Sequence, residues 1–312
     1  TEALLDEARG IAGRITVLRR AIHGEPELGL ETPKTLAKVR AELANLPLEW
    51  REGPSCTGAV AVLGAGKAGR SVLLRGDMDA LPMDEETGLP FASSLPGRMH
   101  ACGHDTHTAM LAGAARLLAA RADDLAGEVR FMFQPGEEGF HGARFMLDAG
   151  LLGGGEHGPL PDAAFALHIM PNAPHGMIGS RVGTLLASAD MLEIAVVGRG
   201  GHASMPHDTR DPVPVACEVV LALQTMVTRR FDAAEAVVVT VTQMDSGSAH
   251  NIIPDRARLR GTIRTLTPGN RGAVAEAIRQ VAENIAAAHD CAAEVTITEG
   301  FPPTVNDARA VA

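Results

Sequence analysis

With 312 residues, 46% of them hydrophobic, the chain is long enough for about two domains and for a buried core, which excludes a disordered polymer. A formal net charge of −10 and the lack of a basic cluster argue against a nucleic-acid partner, which needs a cationic face. No apolar run reaches the roughly 18 residues of a membrane helix, and Cys56, Cys102, Cys217 and Cys291 form no CxxC pair, so we expect a soluble, cytoplasmic protein with free thiols and no membrane partner.

The first predicted element is a helix: Leu4, Ala8, Ile11, Ile15, Leu18 and Ile22 recur at three- or four-residue spacing on one face, and Gly24 and Pro26 end it. Its start, TEALLDEARG, is acidic rather than the basic lead-in of an export signal. A second helix is expected from Thr32 as cap, with Pro33 in the first turn, where a missing N–H does no harm. β-like runs follow at 58–63 (GAVAVL) and 71–76 (SVLLRG), then an irregular stretch to about residue 100. From Asp105 the run HTAMLAGAARLLAAR has high helix propensity, while EVRFMFQ at 128–134 and DAAFALHI at 162–169 are apolar enough for buried strands. Strands alternating with helices indicate an α/β layer.

Beyond about residue 181 the pattern restarts as strand, helix, two strands, helix, strand: MLEIAVVG, DPVPVACEVVLALQTMVTRR, AVVVTVTQM, ARLRGTIRTL, NRGAVAEAIRQVAENIAAAHD and AEVTITEG. This is a split β-α-β type of unit, roughly 110 to 120 residues long and large enough to be a domain.

Gly64, Gly66 and Gly69 spell GxGxxG after a predicted strand, the pattern of a dinucleotide-binding turn. That mechanism needs a helix to start at the third glycine so that its N-terminus faces the pyrophosphate. Here the chain runs straight into SVLLRG, so the glycines read as a connection between strands.

Four other pieces carry groups able to bind a metal, each beyond the C-terminal end of a predicted strand or at a helix start, the edge where open α/β sheets hold ligands. They are RGDMDALP with Asp77 and Asp79, MHACGHDTH with Cys102 and His104, FQPGEEG with Glu137 and Glu138, and ALHIM with His168. Cys102 and His104, two apart across a glycine, can converge on one ion, and a thiolate with an imidazole suits zinc or a similar divalent transition metal. A histidine closing an apolar strand, such as His168, is more often satisfied by a backbone carbonyl than by metal. Glu137 and Glu138 repel each other and, following a buried strand and a Pro-Gly turn, need a compensating cation. As neighbours they point in different directions, so one can ligate while the other takes a proton from water.

RGDMDALP, MHACGHDTH, FQPGEEG, ALHIM, GRGGHASMPH, HNIIPD and GTIRT, in this order, resemble the metal-dependent amidohydrolase branch of the aminoacylase and carboxypeptidase metallopeptidase family, which includes hippurate hydrolases, N-acyl-amino-acid deacetylases and auxin-conjugate hydrolases. The match spans nearly the whole chain. It implies an α/β fold: an open, mixed, mostly parallel sheet in a catalytic domain (1–180 and 301–312), interrupted by an α+β, ferredoxin-like lid and dimerisation domain (181–300).

By position, the resemblance makes Cys102, His104, Glu138 and His168 metal ligands, Glu137 the general base and Asp79 an orienting carboxylate. Asp77 stands where other branches carry a liganding histidine; His100 and His107 have no ligand counterpart and read as supporting or packing residues. His202 matches a lid histidine that reaches the substrate carbonyl across a dimer interface. Asn251 and Arg264 match substrate-facing positions, Arg264 being suited to pair with a carboxylate.

The implied chemistry is hydrolysis of the amide of an N-acyl-amino acid, N-acetyl, N-benzoyl or similar, by water activated on one or two divalent ions (Zn, Mn, Ni or Co) per subunit of a homodimer. A metallo-carboxypeptidase or dipeptidase is the alternative within the class, and a catalytically silent metal-binding dimer the alternative outside it. The family carries a further histidine ligand near its C-terminus, beyond the point matched by PPTVNDARAVA, so either the natural molecule is longer, which we expect, or its second metal position is incomplete.

Overall fold

In the computed structural model, which describes residues 2–311, the chain divides into two units between Met177 and Ile178. The first unit begins with α1 (Glu2–His23) and α2 (Pro33–Leu43). Thr32 holds the cap position of α2 without capping it. The buried Glu27 carboxylate does so instead, accepting the N–H of Lys34 at 3.1 Å and of Thr35 at 2.8 Å. A full negative charge at a helix N-terminus outcompetes a hydroxyl for those donors.

The strands β1 (Leu48–Glu52), β2 (Ala59–Leu63), β3 (Val72–Asp77), β4 (Val129–Gln134) and β5 (Ala163–Ala166) form one sheet in the order β1-β2-β4-β3-β5. β1, β2 and β4 pair antiparallel, and β3 pairs parallel with both β4 and β5, so the sheet is mixed, with its parallel part at one side. Alternation along β2 explains its two buried faces. Ala59, Ala61 and Leu63 pack with Leu18, Ile22, Leu36 and Val39 of α1 and α2, and with Leu111 of α3 (His104–Ala119). Val60 and Val62 face Met146 of α4 (Gly142–Asp148), with Leu151. The Gly64–Gly69 stretch is a turn between β2 and β3 with positive φ at Gly64 and Gly66, and no helix follows it. β5 departs from the expected buried strand: it lies at an edge of the sheet, and Phe165 is 47% exposed.

The second unit has its own core. β7 (Ala189–Val197), α5 (Pro212–Arg230), β9 (Val237–Ser246), β11 (Arg256–Thr265), α6 (Pro268–Ala288) and β12 (Ala292–Phe301) follow the expected strand, helix, two strands, helix, strand order, after β6 (Gly183–Leu186) and with the two-residue strands β8 (Gly201–His202) and β10 (Ile252–Ile253) between them. The sheet is antiparallel in the order β12-β7-β11-β9, with Ile194 and Leu259 packed against Leu223 of α5 and Ile278 of α6. Both helices start with proline after a working cap, Asp211 accepting from Val213 N and Thr267 from Asn270 N. β13 (Thr304–Asn306) pairs with β6, and α7 (Ala308–Val311) follows, so residues 301–311 group with the second unit.

Candidate metal centre

The three parallel strands deliver the candidate residues from one end. β3 stops at Asp77, β4 at Gln134 opposite it, and β5 at Ala166, and the chain beyond each carries Asp79, Glu137 with Glu138, and His168. The fourth contribution is the start of α3. Gly103 precedes it with φ +87°, and a Cβ there would lie 2.4 Å from Ile169 Cγ2, so only glycine lets His104 enter beside the segment after β5. Asp105, the next residue, is fully buried and accepts Arg19 Nε at 2.6 Å and His23 Nδ1 at 2.8 Å from α1, which pins the first turn of α3.

His104 is the hub. Its Nδ1–H donates to the Asp79 main-chain carbonyl at 2.8 Å, which leaves the lone pair on Nε2. That nitrogen is buried and makes no hydrogen bond. Glu137 Oε2 and Glu138 Oε1 each lie 3.8 Å from it, and Asp77 Oδ2 lies 3.6 Å away. Ligand atoms of Cys102, His104 and His168 all fall within 4.8 Å of one another, as do those of His104, Glu137 and Glu138. The four expected ligands therefore form two groups that share His104, with Glu137 in the second. Cys102 Sγ sits 3.3 Å from His168 Nε2, and His168 Nδ1–H donates to Ile169 O at 2.7 Å, so the carbonyl and the convergent site use different nitrogens of one ring.

Asp79 works through the backbone. Its carboxylate oxygens accept the N–H of Glu137 at 2.9 Å and of Glu138 at 3.0 Å, which fixes the turn that presents both glutamates. Asp77 accepts from His107 Nδ1 at 2.7 Å and pairs with Arg75 Nη1 at 2.7 Å. Burial alone would raise the Asp77 pKa, but the His107 hydrogen bond and the Arg75 charge hold it well below the carboxylate range. His100 is buried with both ring nitrogens unpaired, and burial pushes it down to about 4, a neutral packing residue.

The electrostatics ask for a cation. Burial disfavours a charge on His104, yet contacts with Asp79 and Cys102 and the charge of Asp77 lift its pKa to about 11, the mark of an anionic pocket that favours positive charge. Burial raises the Glu137 carboxyl above its ordinary value, partly offset by His104 and reinforced by Asp77 and Glu138. A mixed sulfur, nitrogen and oxygen donor set around an unpaired buried imidazole nitrogen fits a divalent transition metal.

The remaining expected residues lie in the second unit. The β8–β10 ladder sets His202 opposite Ile252, and Asn251 O accepts Ala203 N–H at 3.1 Å, so His202 and Asn251 are neighbours. Ser204 N–H donates to His202 Nδ1 at 3.2 Å, which places the proton of the neutral ring on Nε2. Arg264 is exposed on β11, with a single long contact, 3.4 Å, to Ser188 O. Sequence reading gave His107 only as a supporting or packing residue and missed the linking role of Arg75. The spacing of His104 and His107, three apart on a helix and so on adjacent sides of it, was the available signal for His107.

Residues 73–312 match the model of peptidase family M20/M25/M40. The chain belongs to that family. It is 41% identical over 295 residues to the N-acetylcysteine deacetylase of Bacillus subtilis (strain 168), covering 94% of this chain and 76% of the relative. It is 38% identical over 310 residues to thermostable carboxypeptidase 1 of Saccharolobus solfataricus, covering 98% and 77%. The crystal structure of the Bacillus subtilis YXEP protein, described as a dinuclear metal-binding peptidase of the M20 family, superposes with TM-score 0.82 at 37% identity, covering 96% of this chain and 77% of that one. This M20 chain is thus an amide-hydrolysing enzyme with candidate metal-ligand groups at one end of its parallel strands.

Proposed function

We propose that this M20 enzyme cleaves the amide of N-acyl-amino acids, N-acetyl, N-benzoyl or similar, with one or two divalent ions (Zn, Mn, Ni or Co) held by Cys102, His104, Glu138 and His168. The observation that carries the reading is the convergence of Glu137 and Glu138 on the unpaired His104 Nε2. When bound, such an ion acidifies water and polarises a carbonyl. Glu137 then takes the proton of the attacking water and passes it to the leaving nitrogen; its raised affinity for a proton suits it to both transfers. Asp79 keeps Glu137 and Glu138 on their separate tasks by holding both backbone N–H groups.

From the second unit, we assign His202 Nε2–H as a donor to the developing oxyanion, supported by the Ser204 contact on the other nitrogen. Arg264 and Asn251 take the substrate carboxylate, supported by the exposed and weakly engaged guanidinium. On this reading residues 1–180 are catalytic and 181–300 form a lid; residues 301–311, expected to return to the catalytic domain, group instead with the second unit. The lid also dimerises: β9 is an outer strand with Val238 and Met244 exposed. A cytoplasmic location is supported by the free state of Cys56, Cys102, Cys217 and Cys291. No helix among the described residues is long and apolar enough to cross a membrane.

The identity to a carboxypeptidase supports a second reading, cleavage of true peptide bonds. Metal analysis joined to assays on N-acetyl- and N-benzoyl-amino acids and on dipeptides decides between them. Release of amino acids from the acylated series confirms the first reading; hydrolysis of peptides alone establishes the second; metal binding without either leaves a silent metal protein. Light scattering in solution tests the dimer.

A further inference from the structure

His107 lies in α3 between three pieces of the candidate centre and is 2% exposed. Its two nitrogens have different partners. A backbone N–H can only donate, and Ile169 N lies 2.9 Å from His107 Nε2, so Nε2 carries the lone pair. Nδ1 therefore carries the proton and donates it to Asp77 Oδ1 at 2.7 Å. Asp77 is held in turn by Arg75, and Thr108 Oγ1 donates to the Asp77 main-chain carbonyl.

The consequence falls on His168. Ile169 is bonded at both ends: its N–H goes to His107, and its carbonyl accepts His168 Nδ1–H at 2.7 Å. The His107 ring packs edge-on against the His168 ring at 4.6 Å between centroids. His168 is exposed and makes no strand pairing of its own, because β5 ends two residues before it. The orientation that turns His168 Nε2 toward Cys102 Sγ thus depends on a chain of contacts from Arg75 through Asp77 and His107 to Ile169. With both nitrogens engaged, His107 has no free donor atom for an ion, although it stands within 4.8 Å of Asp77 and His104.

We propose that His107 is a positioning residue which, locked as the Nδ1–H tautomer by Asp77, accepts the Ile169 N–H and so fixes the ring of His168 for metal binding. The inference rests on the metal-centre reading above. Its test needs no substrate.

Cobalt(II) binding to the full chain is measured by competition with a chelator, and the cobalt spectrum is recorded in the thiolate charge-transfer and ligand-field region. His107→Phe keeps a ring but loses both hydrogen bonds; its affinity should fall about 10- to 100-fold, the usual cost of removing a group that orients a ligand. The ligand-field bands should shift as well. His107→Gln offers a carbonyl oxygen near the place of Nε2 and should recover most of the affinity and the wild-type spectrum. In the metal-free wild type, two-bond nitrogen–proton correlation NMR should show His107 protonated on Nδ1 alone.

Wild-type affinity and spectrum in His107→Phe overturn the proposal and leave the metal reading standing. So does an Nε2–H tautomer, a result that stands even if the Phe variant fails to fold. A wild-type chain that binds no cobalt overturns both.

Discussion

Two acidic sites, one in each unit, show how a structural charge differs from a functional one. In the second unit Asp190 is 3% exposed, and its oxygens accept from Arg271 Nε and Nη2 and from Gly300 N–H. In the first unit Asp77, Glu137 and Glu138 lie 3.6 to 3.8 Å from a buried imidazole nitrogen that has no hydrogen bond. A buried pair whose bonds close on themselves holds a fold together. Acids that converge on one buried imidazole nitrogen repel each other at a cost that a bound cation relieves.

The sharpest break of this contrast is Glu137→Gln. Turnover of N-acyl-amino acids should fall by about 100- to 10,000-fold or more, as for loss of a general base, with metal content by elemental analysis unchanged. Retained hydrolysis at a comparable rate removes Glu137 from that role. In the second unit the matching change is Arg271→Met, which strands the Asp190 carboxylate and should lower unfolding free energy by about 3 to 5 kcal/mol in denaturant titrations, while cobalt affinity stays at its wild-type value. A loss of metal binding in that variant would blur the division drawn here.

Cys102→Ala should lower metal affinity by about 100-fold or more, since losing a ligand costs at least what losing its support does; unchanged stoichiometry removes Cys102 from the centre. Arg264→Met should reduce kcat/KM by about 10- to 100-fold through the lost charged hydrogen bond, with metal content intact. An unaltered kcat/KM rules Arg264 out as the carboxylate partner.

Asp190 and Glu137 should also differ in pH response. Burial raises Asp190, but the Arg271 pair and the Gly300 N–H outweigh it, and the net pKa is lowered. Its contribution to stability is therefore complete above the ordinary carboxylate value, about 4. It is lost as pH falls through the lower folded value. Glu137 moves the other way. As a base it works only when ionised, so activity should rise with pH through a pKa above the ordinary glutamate value. A kcat/KM profile flat down to that value contradicts the assignment.

The order of elements in the second unit was legible because short apolar strand-like runs and long helix-forming runs follow one another distinctly from MLEIAVVG to AEVTITEG. The metal-binding motifs were legible because their residue types are costly to bury without a cation. The cap on α2 was misread, since nothing local to Thr32 announces that Glu27 folds back onto Lys34 and Thr35. β5 was read as buried because composition reports hydrophobicity, whereas exposure depends on which strand is outermost.

What the sequence determined alone was the set of groups: alternation and spacing are local properties, and so is the pairing of two glutamates behind a Pro-Gly turn. Only the tertiary structure decided how those groups divide their work. It sent His104 Nδ1 to a carbonyl and left Nε2 bare, turned His168 by way of Ile169, and set His107 between them. The physical reason is that a ring nitrogen's role depends on what its partner nitrogen touches. The contacts of His104 and His107 join residues 25 to 62 positions apart, which no local pattern encodes.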